Sequence, residues 1–186
     1  LVTCHLGAGS SLCAIKNGKS FDTSMGFTPL TGVTMATRSG DVDVSMIAFV
    51  MDKLGINSIS EMVYTLNKES GLAGISGVSS DMRDILSVSH AKHRARLAID
   101  IFVKDIGQYY FEMGGIDGIV FTAGIGENSA VIRKMIMERL SFMNITIDNE
   151  KNEEQDGATV ISGEDSAITM MKIPTNEELM IARDVM

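Results

Sequence analysis

The chain has 186 residues, a formal net charge of −8 and an apolar content of 45%, enough for one domain, or one domain with an extension, that buries roughly 70% of its unfolded surface. A pI near 4.8 argues against nucleic acid as the main partner, since that binding rests on an excess of Lys and Arg, and no apolar run approaches the ~20 residues that cross a bilayer. The two cysteines, Cys4 and Cys13, lie in strand-like apolar runs without further ligands nearby, which excludes a disulfide framework or zinc site and points to a reducing cytoplasm.

The sequence opens at Leu1, directly inside a strand-like run with no basic segment ahead of it; no signal peptide is expected, and the chain reads as a piece of a longer protein. Strands are predicted over 1–6, 12–16 and 19–24, the last two joined by Asn17-Gly18, a dipeptide suited to a two-residue hairpin. Residues 28–32 read as a loop or short helical turn. A helix is predicted from about Asp43 to Leu54, with Met46, Ile47, Val50, Met51 and Leu54 at helical spacing and Gly55 as its stop. Ser58 and Glu61 form a capping-box pattern for the next helix. Residues 70–80, rich in Gly and Ser, are expected to form a surface loop, after which a helix opens at Ser80 or Asp81.

The longest helix is expected over 91–113, with Ala95, Ala98, Phe102, Ile106 and Tyr109 on one face and Gly114-Gly115 at its end. A buried strand over 118–123 follows, then a helix over 130–143 striped by Ile132, Met135, Ile136 and Leu140. A short strand over 144–147 and a solvated charged loop over 148–157 come next. The sequence closes with a strand over 168–173, then Pro174-Thr175-Asn176 and a helix through Arg183. Antiparallel strands first, then strands alternating with helices, predict an α/β fold of ribonuclease-H-like kind, a mixed sheet flanked by helices. The 14 methionines are expected in the core.

Two glycine-rich turns carry the functional signal. Leu6-Gly7-Ala8-Gly9-Ser10-Ser11 joins two strands and can present backbone N–H groups and hydroxyls to a phosphate, although an ordinary β-turn has the same composition. Thr122-Ala123-Gly124-Ile125-Gly126-Glu127-Asn128 lies at a strand-to-helix junction, and Thr37-Arg38-Ser39-Gly40-Asp41 brings a guanidinium near a helix start. Together they suggest a nucleotide-dependent phosphotransferase. Arg38 could equally pair with Asp41 or Asp43 at the surface, and Asp81 suits an ordinary N-cap; Gly126 suits a ligand better than a structural role. Three look-alikes are set aside. Gly18-Lys19-Ser20 lacks the earlier glycine and following helix of a P-loop, and Gly124-x-Gly126-x-x-Ser129 lacks the third glycine of a dinucleotide fingerprint. His90 and His93 have helical metal spacing but sit among Lys92, Arg94 and Arg96, as on a solvated basic face.

Five segments in order, His5 to Ser11, Asp22 to Leu30, Thr37 to Asp41, Phe121 to Asn128 and Pro174 to Glu178, resemble the acetate kinase family along the whole chain. The resemblance implies the superfamily of acetate and sugar kinases, actin and heat-shock chaperone ATPases. It covers the later half of that enzyme, so residues 1–186 are expected to be its carboxyl-terminal nucleotide-binding domain, with the amino-terminal domain absent. Implied with it are ATP/ADP and Mg²⁺ as cofactors, acetate or acetyl phosphate as partner in the intact enzyme, and a homodimer. By the same resemblance His5, Leu6, Gly7, Ala8 and Gly9 form a phosphate-binding turn, with Ala8 where the commonest family form has Asn. Arg38 is the implied transition-state stabiliser. Asp81, Met82 and Arg83, together with Gly124, Ile125, Gly126, Glu127 and Asn128, are the implied adenosine-binding segments. Glu177 is the implied magnesium ligand, while Thr175 to Glu178 spells a capping box that leaves Glu178 to close the helix start. The isolated chain is expected to be inactive. Competing expectations are a propionate or butyrate kinase domain and a non-catalytic nucleotide-binding or dimerisation module.

Overall fold

In the computed structural model, which describes residues 1–109, 115–154 and 157–185, the first three strands form an antiparallel meander. They are β1 (Val2–Leu6), β2 (Ser10–Lys16) and β3 (Lys19–Thr23). Asn17 and Gly18 close the hairpin at φ 53° and 74°, the positive pair that a two-residue turn requires. The strands β4 (Gly118–Thr122), β5 (Thr159–Val160) and β6 (Thr169–Lys172) complete a six-stranded sheet of order β3-β2-β1-β4-β6-β5. β1, β4 and β6 run parallel and β5 pairs antiparallel with β6, giving the mixed, ribonuclease-H-like sheet expected.

Alternation along β1 puts Val2, Cys4 and Leu6 on one buried face. Register aligns Ala14 and Leu12 with Val2 and Cys4 on one side, and Ile119 and Phe121 on the other, so the same face continues across three strands. Helix α5 (His93–Tyr109) lays Ala98, Phe102 and Ile106 into the core made with that face, and α7 (Ala130–Arg139) adds Ile132 and Ile136. The opposite face, with Thr3, His5 and Cys13, is only half-buried.

The remaining helices are α1 (Val44–Leu54), α2 (Ile59–Lys68), α3 (Gly71–Ser76), α4 (Met82–Val88), α6 (Ala123–Asn128), α8 (Asn149–Glu153) and α9 (Glu177–Val185). Ser58 caps α2 as its sequence predicts, and Asp43, expected as the first residue of α1, is its N-cap instead. Residues 70–80 are not simply a surface loop, because α3 lies within them with Leu72 buried. Its leading amides are satisfied from outside the helix, Leu72 N donating to Met35 O at 2.8 Å and Ala73 N to Ala36 O at 3.0 Å. Gly71, at φ +59°, lies so close to the Met35 and Arg38 backbone that a Cβ would collide with it.

Other expectations are corrected. Residues 148–157 contain helix α8, capped by Asp148 and with Asn152 buried. Residues 144–147 form no strand; Asn144 is left-handed at φ 55° and one bridge joins Ile147 to Ser162. β5 is an addition, and α7 ends at Arg139, with a separate 3₁₀ turn at Ser141–Met143. α5 begins at His93, and its expected extension through Met113 to Gly114 falls outside the described residues. No helix among the described residues is long and apolar enough to cross a membrane.

Candidate functional site

Because β1 and β4 are parallel neighbours, with His5 beside Thr122, the turns that leave their carboxyl ends emerge together, where open α/β sheets present ligand sites. The start of α4 faces them. The result is a cleft of about 610 Å³ walled by Gly7 and Ala8, by Asp81, Met82 and Arg83, and by Gly124, Ile125 and Asn128, with Ser80, Leu86 and Ser129 completing it. Three segments far apart in the sequence are thus brought to one opening.

Asp81 caps α4 by accepting from Arg83 N at 2.8 Å, and it borders the cleft. The Arg83 guanidinium, Nη2 to Oδ2 at 2.6 Å, holds the Asp81 carboxyl down to about 2. Asn128 Nδ2 donates back to Gly124 O at 2.8 Å, fixing the short helix on itself. Ala8 is exposed at the lip and its carbonyl accepts from Ala36 N at 3.1 Å.

Five of the residues implied for nucleotide binding stand apart from the cleft wall. Leu6 points into the core, fully buried. Gly126 is buried behind the cleft wall, where a Cβ would make ordinary contacts, 3.4 Å from the Phe121 carbonyl carbon and 3.5 Å from Cys4 O. Gly9 sits over Arg38, whose Nη1 would be 3.4 Å from a Cβ at that position. His5 lies on the half-buried face, Nε2 3.9 Å from Glu177 Oε1. Glu127 turns its Oε1 away from the cleft, accepting from Ala123 N at 2.8 Å, Thr175 N at 2.9 Å and Thr175 Oγ1 at 3.0 Å.

Arg38 makes no ion pair with Asp41 or Asp43. Asp41 accepts from Gly32 N at 2.9 Å and Asp43 caps α1, whereas Arg38 Nη1 donates to Pro29 O at 3.2 Å. A half-buried guanidinium next to the first glycine turn therefore lacks a carboxylate counter-charge among the described residues, an arrangement suited to an incoming anion. The capping box expected over 175–178 is also replaced. Asn176 Oδ1 accepts from Leu179 N at 3.1 Å, so Asn176 caps α9 and Thr175 is committed to Glu127.

The look-alikes take ordinary places. Lys19 and Ser20 belong to β3, and His90 and His93 are exposed around the α4–α5 junction. No group of three or more His, Cys, Asp or Glu among the described residues could hold a metal. Glu177 is a single exposed carboxylate, 72% accessible. Such a donor fits an Mg²⁺ shell completed by phosphate oxygens and water, not an all-protein cage.

Sequence reasoning missed Arg133, which is 1% exposed inside α7. Its Nη1 donates to the carbonyls of Gly126 at 2.9 Å and Glu127 at 2.8 Å, its Nε to Asn152 Oδ1 at 2.8 Å, and its Nη2 to Asn152 O. A cation thus closes the carboxyl end of α6. Burial pushes the guanidinium down to about 10. The available signal was position: Arg133 shares its helical face with Ile136 and Met137. At the other end of α6, Ala123 is left-handed at φ 62°, which costs a residue with a Cβ about 1 kcal/mol or more.

Comparison with known proteins gives one answer. Residues 1–183 match the model of the acetokinase family. The chain is 56% identical to the acetate kinase of Fructilactobacillus sanfranciscensis, across 100% of this chain and 48% of that one. It is 54% identical to the acetate kinase of Clostridium novyi, across 99% and 47%. Among solved structures, Porphyromonas gingivalis acetate kinase aligns with TM-score 0.91 and 41% identity over 98% of this chain and 47% of that one. A propionate kinase from Francisella tularensis aligns with TM-score 0.90 and 42% identity over 98% and 48%. The chain spans about half the length of the curated relatives it matches.

Proposed function

This chain belongs to the acetokinase family, and from that premise we propose that it is the carboxyl-terminal, nucleotide-binding domain of an acetate kinase. Its sheet is that of the superfamily of acetate and sugar kinases, actin and heat-shock chaperones. In the whole enzyme, on this reading, ATP and acetate give ADP and acetyl phosphate by direct in-line transfer, in a cytoplasmic homodimer. The observation that carries the proposal is the convergence of Gly7–Ala8, Asp81–Arg83 and Gly124–Asn128 on one cleft.

Each residue then has a physical task. Adenosine packs between the start of α4 and α6, where the exposed Gly124 leaves the main chain accessible and Asn128 and Arg83 offer polar groups. The phosphates follow the Gly7–Gly9 turn, whose short side chains leave the backbone open to close approach. Ala8 provides no side-chain hydrogen bond there. Arg38, without a carboxylate partner, donates to the equatorial oxygens of the phosphoryl group in passage, where a largely dissociative transition state gathers negative charge. Glu177, with His5 beside it, would hold Mg²⁺. That ion, when bound, neutralises phosphate charge.

The alignment with a propionate kinase at 42% identity favours a second reading, transfer to a longer carboxylate. A substrate series on the whole enzyme separates the two. Nucleotide binding is tested by calorimetric titration of this chain with ADP, with and without Mg²⁺. Saturable binding, strengthened by Mg²⁺ and weakened several-fold in Asn128→Ala, is the expected result. No binding up to millimolar ADP would remove the nucleotide site from the isolated chain.

A further inference from the structure

Glu127 belongs to the second glycine-rich turn yet leaves the cleft to its neighbours. One carboxylate oxygen collects three donors, at 2.8, 2.9 and 3.0 Å, from two separate segments of the chain. Three donors converging on one oxygen is an arrangement that a negative charge sustains better than a neutral acceptor. The first donor is the amide of Ala123, the left-handed first residue of α6, whose N-cap Thr122 makes no side-chain capping bond. The other two are the amide and hydroxyl of Thr175, two residues ahead of Glu177.

The segment so fastened has little else to hold it. Ile173 still bonds to the sheet through its amide, at 2.9 Å from Phe121 O. Beyond that point residues 174–176 are exposed and no residue of α9 is buried. Glu177 itself stands 3.9 Å from His5 and 72% exposed. Position along this stretch is therefore set from Glu127 more than from packing.

We infer that Glu127 is a positioning residue, a strut that ties the nucleotide-facing helix α6 to the segment carrying Glu177, so that the cleft wall and the magnesium-side carboxylate keep a fixed relation. The inference rests on the nucleotide reading above. In this role Glu127 acts through Ala123 on one side and Thr175 on the other.

Two measurements on this chain test it, with Glu127→Ala and Glu127→Gln. Amide hydrogen exchange without ligand should show Ala123 and Thr175 losing protection together in Glu127→Ala, by at least tenfold, with the β1 and β4 core amides unchanged. The glutamine, which keeps an acceptor oxygen, should recover part of that protection. Unchanged exchange at either amide would mean that the strut does not exist. The second measurement is the ratio of ADP affinity with Mg²⁺ to that in EDTA. Glu127→Ala should cut this ratio at least fivefold and Glu127→Gln restore most of it, whereas a purely structural role would weaken both affinities alike and leave the ratio intact, which overturns the inference. Should the alanine variant fail to fold, Thr175→Val keeps the backbone bond and removes the hydroxyl one; a smaller fall in the same ratio supports the strut, and no fall counts against it. Failure of the unchanged chain to bind ADP would sink the nucleotide reading and the positioning role with it, while the exchange data would still decide whether the strut is real.

Discussion

Arg133 holds the floor of the cleft from behind. Its planar fork reaches the last carbonyls of α6 and both the side-chain and backbone oxygens of Asn152, a set that a lysine, with one point charge, cannot reproduce. Arg133→Ala leaves these buried acceptors unpaired and should cost about 3 kcal/mol in urea unfolding, given about 1–3 kcal/mol for each buried group left unsatisfied and partial relief by water; a loss under ~1 kcal/mol would show that the contacts matter little. Asp81 makes a prediction of different kind. Its folded value, about 2, lies below the ordinary 3.8 because of Arg83, so the unfolded chain takes up its proton first as pH falls. The stability that Asp81 contributes is complete above about pH 4 and disappears between there and pH 2. The stability gap between the unchanged chain and Asp81→Asn should close over that window and be flat from pH 5 to 8. At this scale the two glycine turns were legible from backbone chemistry, whereas Asp81, Met82 and Arg83 were singled out by resemblance to the acetate kinase family, Asp81 by itself reading as an ordinary cap. The sequence concealed Arg133, whose burial depends on Asn152, nineteen positions away.

Among elements, legibility followed apolar periodicity. β1, α5 and α7 carry strong alternation or stripes and lie close to their predicted places. α8 was hidden because Asn149–Glu153 has no apolar residue; it is held by the Asp148 cap and by buried Asn152 bonding to Arg133. α3 was hidden for another reason: its Gly- and Ser-rich composition is that of a loop, and the bonds that fix it come from residues 35 and 36. That dependence is testable. Gly71→Ala forces a Cβ against the Met35 and Arg38 backbone at a left-handed φ, and should lower stability by more than the ~1 kcal/mol ordinarily separating Gly from Ala in that conformation. The same turn carries Arg38, so the substitution should also reduce activity of the whole enzyme. By contrast Ser58→Ala, which removes the cap on Glu61 N, should cost only about 1 kcal/mol and leave nucleotide binding unchanged.

For the molecule as a whole, the chemistry asks for more than this chain displays. On the proposed reading, the nucleotide side of a phosphoryl transfer falls to the cleft and to Arg38, while the chain spans about half the length of its relatives. Positioning the two reactants against each other is the larger part of catalysis in such transfers. α1 and α9 carry apolar side chains with no buried residue between them, Val44, Phe49 and Leu54 on one and Met180, Ile181 and Val185 on the other. Neither face is satisfied within the described fold. Binding and turnover should therefore separate. The chain alone should bind ADP in calorimetry while forming no acetyl phosphate that hydroxylamine trapping can detect. In the whole enzyme Arg38→Ala should lower kcat by ~10³, the scale of a charge-stabilising arginine, with a smaller change in KM for nucleotide. Turnover by the purified chain would place the acceptor site in this half, and an Arg38→Ala enzyme of nearly full kcat would move the charge-stabilising role to another group.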